Sequence, residues 1–305
     1  MKVVISGGSG LLGTALVAAL VNERHEVVVL TRGSSADPSP RVRHVHWTPD
    51  GGTGAWTSAL EGGEAVINLA GESIGAGRWT GGRKQRIEDS RVLATRSLVE
   101  AIAASGARPR VFISGSAVGY YGPCRDQVVT EASPAGTDFL AHVCASWEAE
   151  AGRVKNSAVR VIALRTGLVL DRNGGALPKM LLPFRLGVGG PLGSGRQYWP
   201  WVHIEDWVNL VRWAIGTPAL SGPVNVTSPN PSTNAEFARS LGRAMHRPAL
   251  LPTPGFALRL MLGEMADALL LSGQRALPVR ALDLGFVFRY AHLEDALTAL
   301  FRGSP

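Results

Sequence analysis

The chain has 305 residues, of which 45% are hydrophobic and 18% charged, enough apolar material to bury one large or two modest cores and too much for a disordered chain. Thirty-one Lys and Arg against 24 Asp and Glu give a net charge of +7, which favours anionic ligands without naming one. There is no basic stripe interleaved with aromatics, so no nucleic-acid partner is expected, and the only two cysteines, Cys124 and Cys144, make neither a disulfide framework nor a metal motif.

The chain opens on the apolar run Val3-Val4-Ile5, followed by Ser6-Gly7-Gly8-Ser9-Gly10-Leu11-Leu12-Gly13. Gly8, Gly10 and Gly13 fit G-x-G-x-x-G, and Gly7, Gly10 and Gly13 fit G-x-x-G-x-x-G. Both spacings describe one device: glycine lets the backbone turn sharply and approach a pyrophosphate, and the N–H groups of the following helix face the anion. Gly7, Gly10, Leu11, Leu12 and Gly13 are therefore candidate cofactor contacts; a ligand-free strand-to-helix turn is the competing reading. Only Met1 and Lys2 precede the strand, so no signal peptide is expected, and a reducing cytoplasmic location is the expectation.

Leu12, Leu16, Ala19 and Leu20 predict a helix over 11–22, and the apolar run at 26–30 predicts a second strand. Thr31 and Arg32 follow Gly13 by 18 and 19 residues, where an acidic residue takes the ribose 2′-hydroxyl in NAD sites and an arginine meets a 2′-phosphate instead. They are candidate contacts for NADP(H), unless Arg32 simply opens a loop. A polar loop at 34–40, a strand at 42–47 and a short helix at 56–60 come next. The strand at 65–69 ends in Ala70-Gly71-Glu72, and small residues at such an end let a cofactor approach, which makes Leu69, Ala70 and Gly71 candidates.

The helix predicted over 83–105 carries Arg91 on the same stripe as Ile87, Ala94, Leu98, Ala101 and Ile102. A guanidinium there needs an anion, either a cofactor phosphate or a structural carboxylate. Six basic residues between Arg78 and Arg96 face only Glu88 and Asp89, so this region borders a phosphate site or forms a solvated helix face. A strand at 111–113 leads into Ser114-Gly115-Ser116-Ala117-Val118-Gly119-Tyr120-Tyr121-Gly122, which sets two serines and two tyrosines where a substrate would come. A helix at 139–154 with the stripe Phe139, Val143, Trp147 and Ala151 precedes a strand at 159–164 closed by Arg165-Thr166-Gly167.

Glycine and proline become frequent over 174–195, where a second domain is expected to begin. His203 precedes a helix ending near Ile215 and is read as a packing residue in competition with an acid or base. A short strand at 224–226, a helix capped by Asn234 and reaching Met245, a helix over 256–271 and a last helix over 293–301 complete the chain. Arg259, Glu264 and Asp267 interrupt the 256–271 segment, so it is read as amphipathic and no membrane span is expected. The predicted architecture is α/β: a Rossmann doubly wound parallel sheet over 1–166, with segments of about 200–226 returning to it, and a smaller mixed C-terminal substrate region over 167–305.

These motifs resemble the extended short-chain dehydrogenase/reductase superfamily, through the Gly7 to Gly13 loop, Asn68-Leu69-Ala70-Gly71, the Ser114 to Gly122 stretch and Val202-His203-Ile204-Glu205-Asp206. Met180-Leu181-Leu182-Pro183-Phe184, Gly189-Gly190-Pro191-Leu192-Gly193-Ser194-Gly195 and Leu262-Gly263-Glu264-Met265 are more narrowly similar to its atypical epimerase-family, or YfcH-like, branch. The resemblance implies an NADP(H)-dependent oxidoreductase or epimerase-like enzyme acting on a carbonyl, alcohol or nucleotide sugar. Active members place a Tyr and a Lys four residues apart on the helix at 139–154; the aligned positions here are Leu140 and Cys144. Ser116 matches the superfamily's serine, and a phenol from Tyr120 or Tyr121 is the candidate replacement, so Ser116 and Tyr121 are the candidate catalytic residues. The alternative is an NADP(H)-binding regulatory or scaffold protein without catalysis. A homodimer is left open.

Overall fold

The computed structural model describes residues 1–33, 39–154 and 158–301, so 34–38 of the predicted loop at 34–40 lie outside the described residues. In chain order the elements run β1 (Lys2–Ser6), α1 (Leu11–Asn22), β2 (Glu26–Thr31), β3 (Val42–His46), β4 (Ala65–Asn68), α2 (Gly81–Ala104), β5 (Val111–Ala117), β6 (Val128–Val129) and α3 (Phe139–Ala151). They continue with β7 (Arg160–Thr166), β8 (Leu168–Leu170), α4 (Leu177–Arg185), β9 (Tyr198–Trp199), β10 (Trp201–His203), α5 (Ile204–Gly216), β11 (Gly222–Val226), β12 (Ser232–Thr233) and α6 (Asn234–Ala244). The C-terminal part holds α7 (Gly255–Leu262), α8 (Glu264–Ala266), β13 (Arg275–Ala276), α9 (Val279–Asp283) and α10 (Leu293–Phe301).

Seven strands form one parallel sheet in the order β11-β7-β5-β4-β1-β2-β3. Parallel strands need crossovers, and the crossovers cover both faces, which is why these strands read as continuous apolar runs. Alternate side chains go to opposite faces. Val3, Ile5, Val27 and Val29 pack against Leu16 and Leu20 of α1 and Trp207, Leu210 and Val211 of α5. Val4, Val28, Leu30 and Phe112 pack against Ala94, Leu98 and Ile102 of α2 and Ala151 of α3. The chain steps outward from β1 to β3 and then returns to place β4 on the other side of β1, so a crevice opens at the carboxyl ends of β1 and β4. A separate apolar cluster joins α4, α6 and α10 through Leu181, Phe184, Trp201, Phe237, Leu241 and Leu297.

Local differences from the sequence reading have identifiable causes. β5 runs on to Ala117 because Ser114–Ala117 pair with Ala163–Thr166 of β7, so both serines lie within the strand. Helix α6 is capped by Thr233, not Asn234: the Glu236 N–H donates to Thr233 Oγ1 at 3.3 Å and the Thr233 N–H donates to Glu236 Oε2 at 2.8 Å. Asn234 instead accepts the Leu192 N–H at 2.6 Å. The predicted helix over 256–271 divides at Gly263, whose φ of +63° is a left-handed conformation that ends α7 before α8 begins.

Candidate functional site

At the crevice, glycine is required for two different reasons. A Cβ on Gly7, at φ +74°, would lie 2.6 Å from the Leu69 carbonyl, and one on Gly13 would lie 2.3 Å from the Gly7 oxygen. At Gly10 the nearest atom is 3.4 Å away, so packing tolerates a methyl there and only the approach of a ligand argues against it. Helix α1 begins behind Gly10 with no side-chain cap and no acidic residue in its first turn, which leaves the N–H groups of Leu11 and Leu12 facing the crevice end of the helix dipole.

A buried relay fixes the opposite wall. Ser6 Oγ donates to Asn68 Oδ1 at 2.6 Å, Asn68 Nδ2 donates to Thr95 Oγ1 at 2.8 Å, and Thr95 Oγ1 donates to the Arg91 carbonyl at 2.7 Å. Asn68 Oδ1 also takes the Ala70 N–H at 3.2 Å, so Leu69, Ala70 and Gly71 leave β4 in one fixed direction. Thr31 ends β2 with its hydroxyl accepting the Gly33 N–H at 3.3 Å, and Arg32 is exposed just beyond.

Arg91 is held by neutral groups. Its Nη1 donates to the carbonyls of Ile87 and Glu72 at 2.8 and 3.1 Å, its Cζ lies 5.3 Å from the Trp147 ring centroid, and Gly71 rests against it. Burial lowers its pKa below the usual arginine value, and carbonyls do not cancel its charge, so it keeps its attraction for an anion. The Glu72 carboxylate goes instead to Arg83 and Arg86 at 3.4 and 3.5 Å, while Lys84 pairs with Glu264 and Arg96 with Glu150. Much of the basic cluster is therefore internally neutralised.

The serine and tyrosine meet a network that sequence reasoning missed. Ser116 Oγ donates to Glu148 Oε1 at 2.6 Å, and Glu148 accepts two hydrogen bonds of 2.8 Å from Arg165. Arg165 Nη1 also donates to the Tyr121 hydroxyl at 3.1 Å and to the Glu131 carbonyl at 3.3 Å, with Arg165 Cζ 3.5 Å from the Tyr120 ring centroid. Burial works against the Arg165 charge, yet the bonds to Glu148 and Tyr121 outweigh it and raise its pKa. The Tyr121 hydroxyl donates to Asn225 Oδ1 at 2.7 Å, and burial, partly offset by Arg165 and Asn225, pushes it up to about 12. Leu140 lies against Gly119, and burial pushes the Cys144 thiol one turn later up to about 11. Glu148 is four residues past Cys144, and this continuation of the Leu140–Cys144 row was the one signal in the sequence that could have found it.

His203 caps α5 by accepting the Glu205 N–H on Nδ1 at 3.2 Å, its ring lies 4.0 Å from that of Tyr290, and burial lowers its pKa. Among the described residues no group of three or more His, Cys, Asp and Glu could hold a metal ion, and no helix is long and apolar enough to cross a membrane.

Residues 3–227 match the model of the NAD dependent epimerase/dehydratase family, and residues 253–300 match a domain of unknown function, DUF1731. An epimerase family protein of Mycobacterium leprae is 43% identical over 97% of this chain and 94% of its own length. A chloroplastic epimerase family protein of Arabidopsis thaliana is 41% identical over 99% of this chain and 87% of its own. The crystal structure of human epimerase family protein SDR39U1, solved with NADPH, aligns over 100% of both chains at 34% identity with a TM-score of 0.91. The glycine cradle, the parallel sheet and the relatives agree along the whole length, and the chain belongs to the NAD dependent epimerase/dehydratase family.

Proposed function

We propose that this chain binds NADP(H) and serves hydride exchange at a carbonyl or alcohol carbon. The observation that carries the reading is the glycine cradle in front of the uncapped α1, with exposed Arg32 where an NAD site would carry an acid. The NADPH in the human relative's structure supports the same cofactor. Gly7, Gly10, Leu11, Leu12 and Gly13 take the pyrophosphate, Thr31 and Arg32 the adenosine phosphate, and Leu69, Ala70 and Gly71 line the crevice, with Arg91 offsetting negative charge. When bound, the dinucleotide would give or take the hydride; Ser116 Oγ, whose one proton goes to Glu148, would accept a hydrogen bond from a substrate hydroxyl and so orient it. Fluorescence titration with NADPH and NADH tests the cofactor: Arg32→Ala should weaken NADPH by roughly ten- to a hundredfold and leave NADH unchanged. Equal affinity of the parent chain for both dinucleotides would remove the role given to Arg32.

A second reading, an NADP(H)-binding regulatory protein without turnover, is favoured by three side chains. Leu140 cannot pass a proton, Cys144 is a weak acid at about 11, and the Tyr121 hydroxyl is tied to Arg165 and Asn225. A panel of carbonyl compounds and nucleotide sugars, followed as NADPH loss and as epimerised product, separates the readings. Turnover that disappears in Ser116→Ala supports the enzyme; tight NADPH binding without turnover on any substrate supports the regulator.

A further inference from the structure

Arg160 and Arg91 are both half-buried, both held by carbonyls alone, and burial lowers the pKa of each. Arg160 has a structural reason for this. It donates to the carbonyls of Ala214, Ile215 and Leu220 at 2.8–3.2 Å, and so closes the C-terminal turn of α5, where carbonyls lack helical partners and the dipole is negative. Arg91 caps nothing: its two acceptors are Ile87, inside α2, and Glu72, in the loop before it.

Both bonds of Arg91 use Nη1. Among the described residues its Nε and Nη2 have no hydrogen-bond partner, and neither atom is sealed in the interior, unlike Nε of Arg83, Arg96 and Arg212. Nε and Nη2 form the side-on edge of a guanidinium, which matches the two oxygens of a carboxylate. The carboxylates nearby are engaged elsewhere: Glu72 with Arg83 and Arg86, Glu148 with Arg165 and Ser116, Glu150 with Arg96 and Arg153, and Glu88 with His142. Lys84 is taken by Glu264, and Lys179 and Arg78 stand further out as exposed side chains.

Arg91 shares its surroundings with Ser116. A Cβ on Gly71, just past the carboxyl end of β4, would lie 3.1 Å from Arg91 Cζ, so the guanidinium flanks the crevice wall. Its other neighbour, the Trp147 ring, fills the space beside Gly115, where a Cβ would lie 2.6 Å from it; Ser116 is the next residue. Burial raises the pKa of the Cys144 thiol, and the Arg91 charge and the Ser116 hydroxyl both act on that thiol in the opposite direction. In the proposed binding mode the pyrophosphate goes to the start of α1 and the adenosine phosphate to Arg32, which leaves the Arg91 edge for a different anion.

We propose that the free Nε–Nη2 edge of Arg91 takes a carboxylate of the substrate, so that the compound reacting beside Ser116 is a hydroxy acid or an oxo acid. This rests on the NADP(H) reading for the reacting carbon, while the guanidinium edge can be tested by itself.

Isothermal titration of the full chain, with and without saturating NADPH, compares acids with neutral amides of the same shape: pyruvate against pyruvamide, and 4-oxopentanoate against 4-oxopentanamide. At least one acid should bind ten- to a hundredfold more tightly than its amide, the range of a hydrogen bond to a charged group. Arg91→Gln should bring the pair within twofold while NADPH affinity falls by less than threefold. Arg91→Lys keeps the charge without the planar edge and should retain part of the preference; far-UV dichroism and thermal unfolding check that both variants fold. Acid and amide binding equally in both pairs, or a preference that survives Arg91→Gln, overturns the proposal. So does a tenfold or greater loss of NADPH affinity in Arg91→Gln, which would give the guanidinium to a cofactor phosphate. Failure of the parent chain to bind NADPH would remove the cofactor reading, while the acid–amide comparison on the free chain still decides the role of Arg91.

Discussion

Glu148, itself half-buried, takes the Ser116 hydroxyl and the Arg165 guanidinium together, so the two buried groups both depend on its carboxylate. Removing one member of a buried pair leaves the other charge without compensation. Arg165→Leu should therefore cost about 3–5 kcal/mol in urea unfolding, and adding Glu148→Leu should recover part of that loss. A loss under about 1 kcal/mol would mean that water already screens the pair. Cys144 gives a chemical readout of the same environment. Its folded-state pKa of about 11 lies above the ordinary thiol value near 8.5, so the native state holds the proton longer. The corresponding stability is complete below about pH 8.5 and is lost as pH rises towards 11. At pH 8, iodoacetamide should modify the less buried Cys124 before Cys144, and urea should abolish the difference, as peptide mass spectrometry would record. Ser116 was legible because its neighbours in sequence define it. Glu148 and Arg165 were not, since their meaning depends on α3, β5 and β7 bringing together residues 17 and 32 positions apart.

The cradle between β1 and α1 contains two kinds of glycine that no spacing rule separates. Gly13→Ala would drive a methyl to 2.3 Å from a backbone oxygen, so the loop must open and the fold should lose several kcal/mol. Gly10→Ala meets nothing closer than 3.4 Å and should fold normally; in the proposed binding mode its methyl would stand in the way of the pyrophosphate, so NADPH affinity should fall. Thermal unfolding and NADPH titration of the two variants give this contrast directly; equal destabilisation of both would contradict the geometry. Strands and long helices were readable because apolar runs and 3.6-residue stripes are local properties. The break in the 256–271 segment was not, because a helical period continues across Gly263 and only its left-handed φ reveals the corner. Thr233 outcompeted Asn234 as the α6 cap for a related reason: Asn234 had a tertiary partner in Leu192 that no local rule contains.

Across the whole molecule, the sheet and the C-terminal segment are joined at the start of α5. Asp206 accepts the N–H groups of Arg289 and Tyr290, each at 2.8 Å, Glu205 pairs with Arg289 at 2.8 Å, and His203 packs its ring on Tyr290. Burial lowers the His203 pKa and raises that of Asp206, so this joint carries opposite pH dependences. As pH falls below about 6.5 the unfolded chain protonates at residue 203 before the native chain does, and stability falls until pH passes the lowered native value. Asp206 acts the other way: above its ordinary pKa of 3.8 the native chain takes the proton first, which adds stability as pH falls through its raised value. His25, also lowered by burial and by the chain's amino group, adds a loss with the same sign as His203. Urea unfolding at pH 7.5 and 5.5 should therefore show a less stable protein at the lower pH, and His203→Gln should shrink that difference while lowering stability at both values through the lost ring contact with Tyr290. An undiminished difference in the variant would transfer the effect to His25, and His25→Gln would then have to remove it.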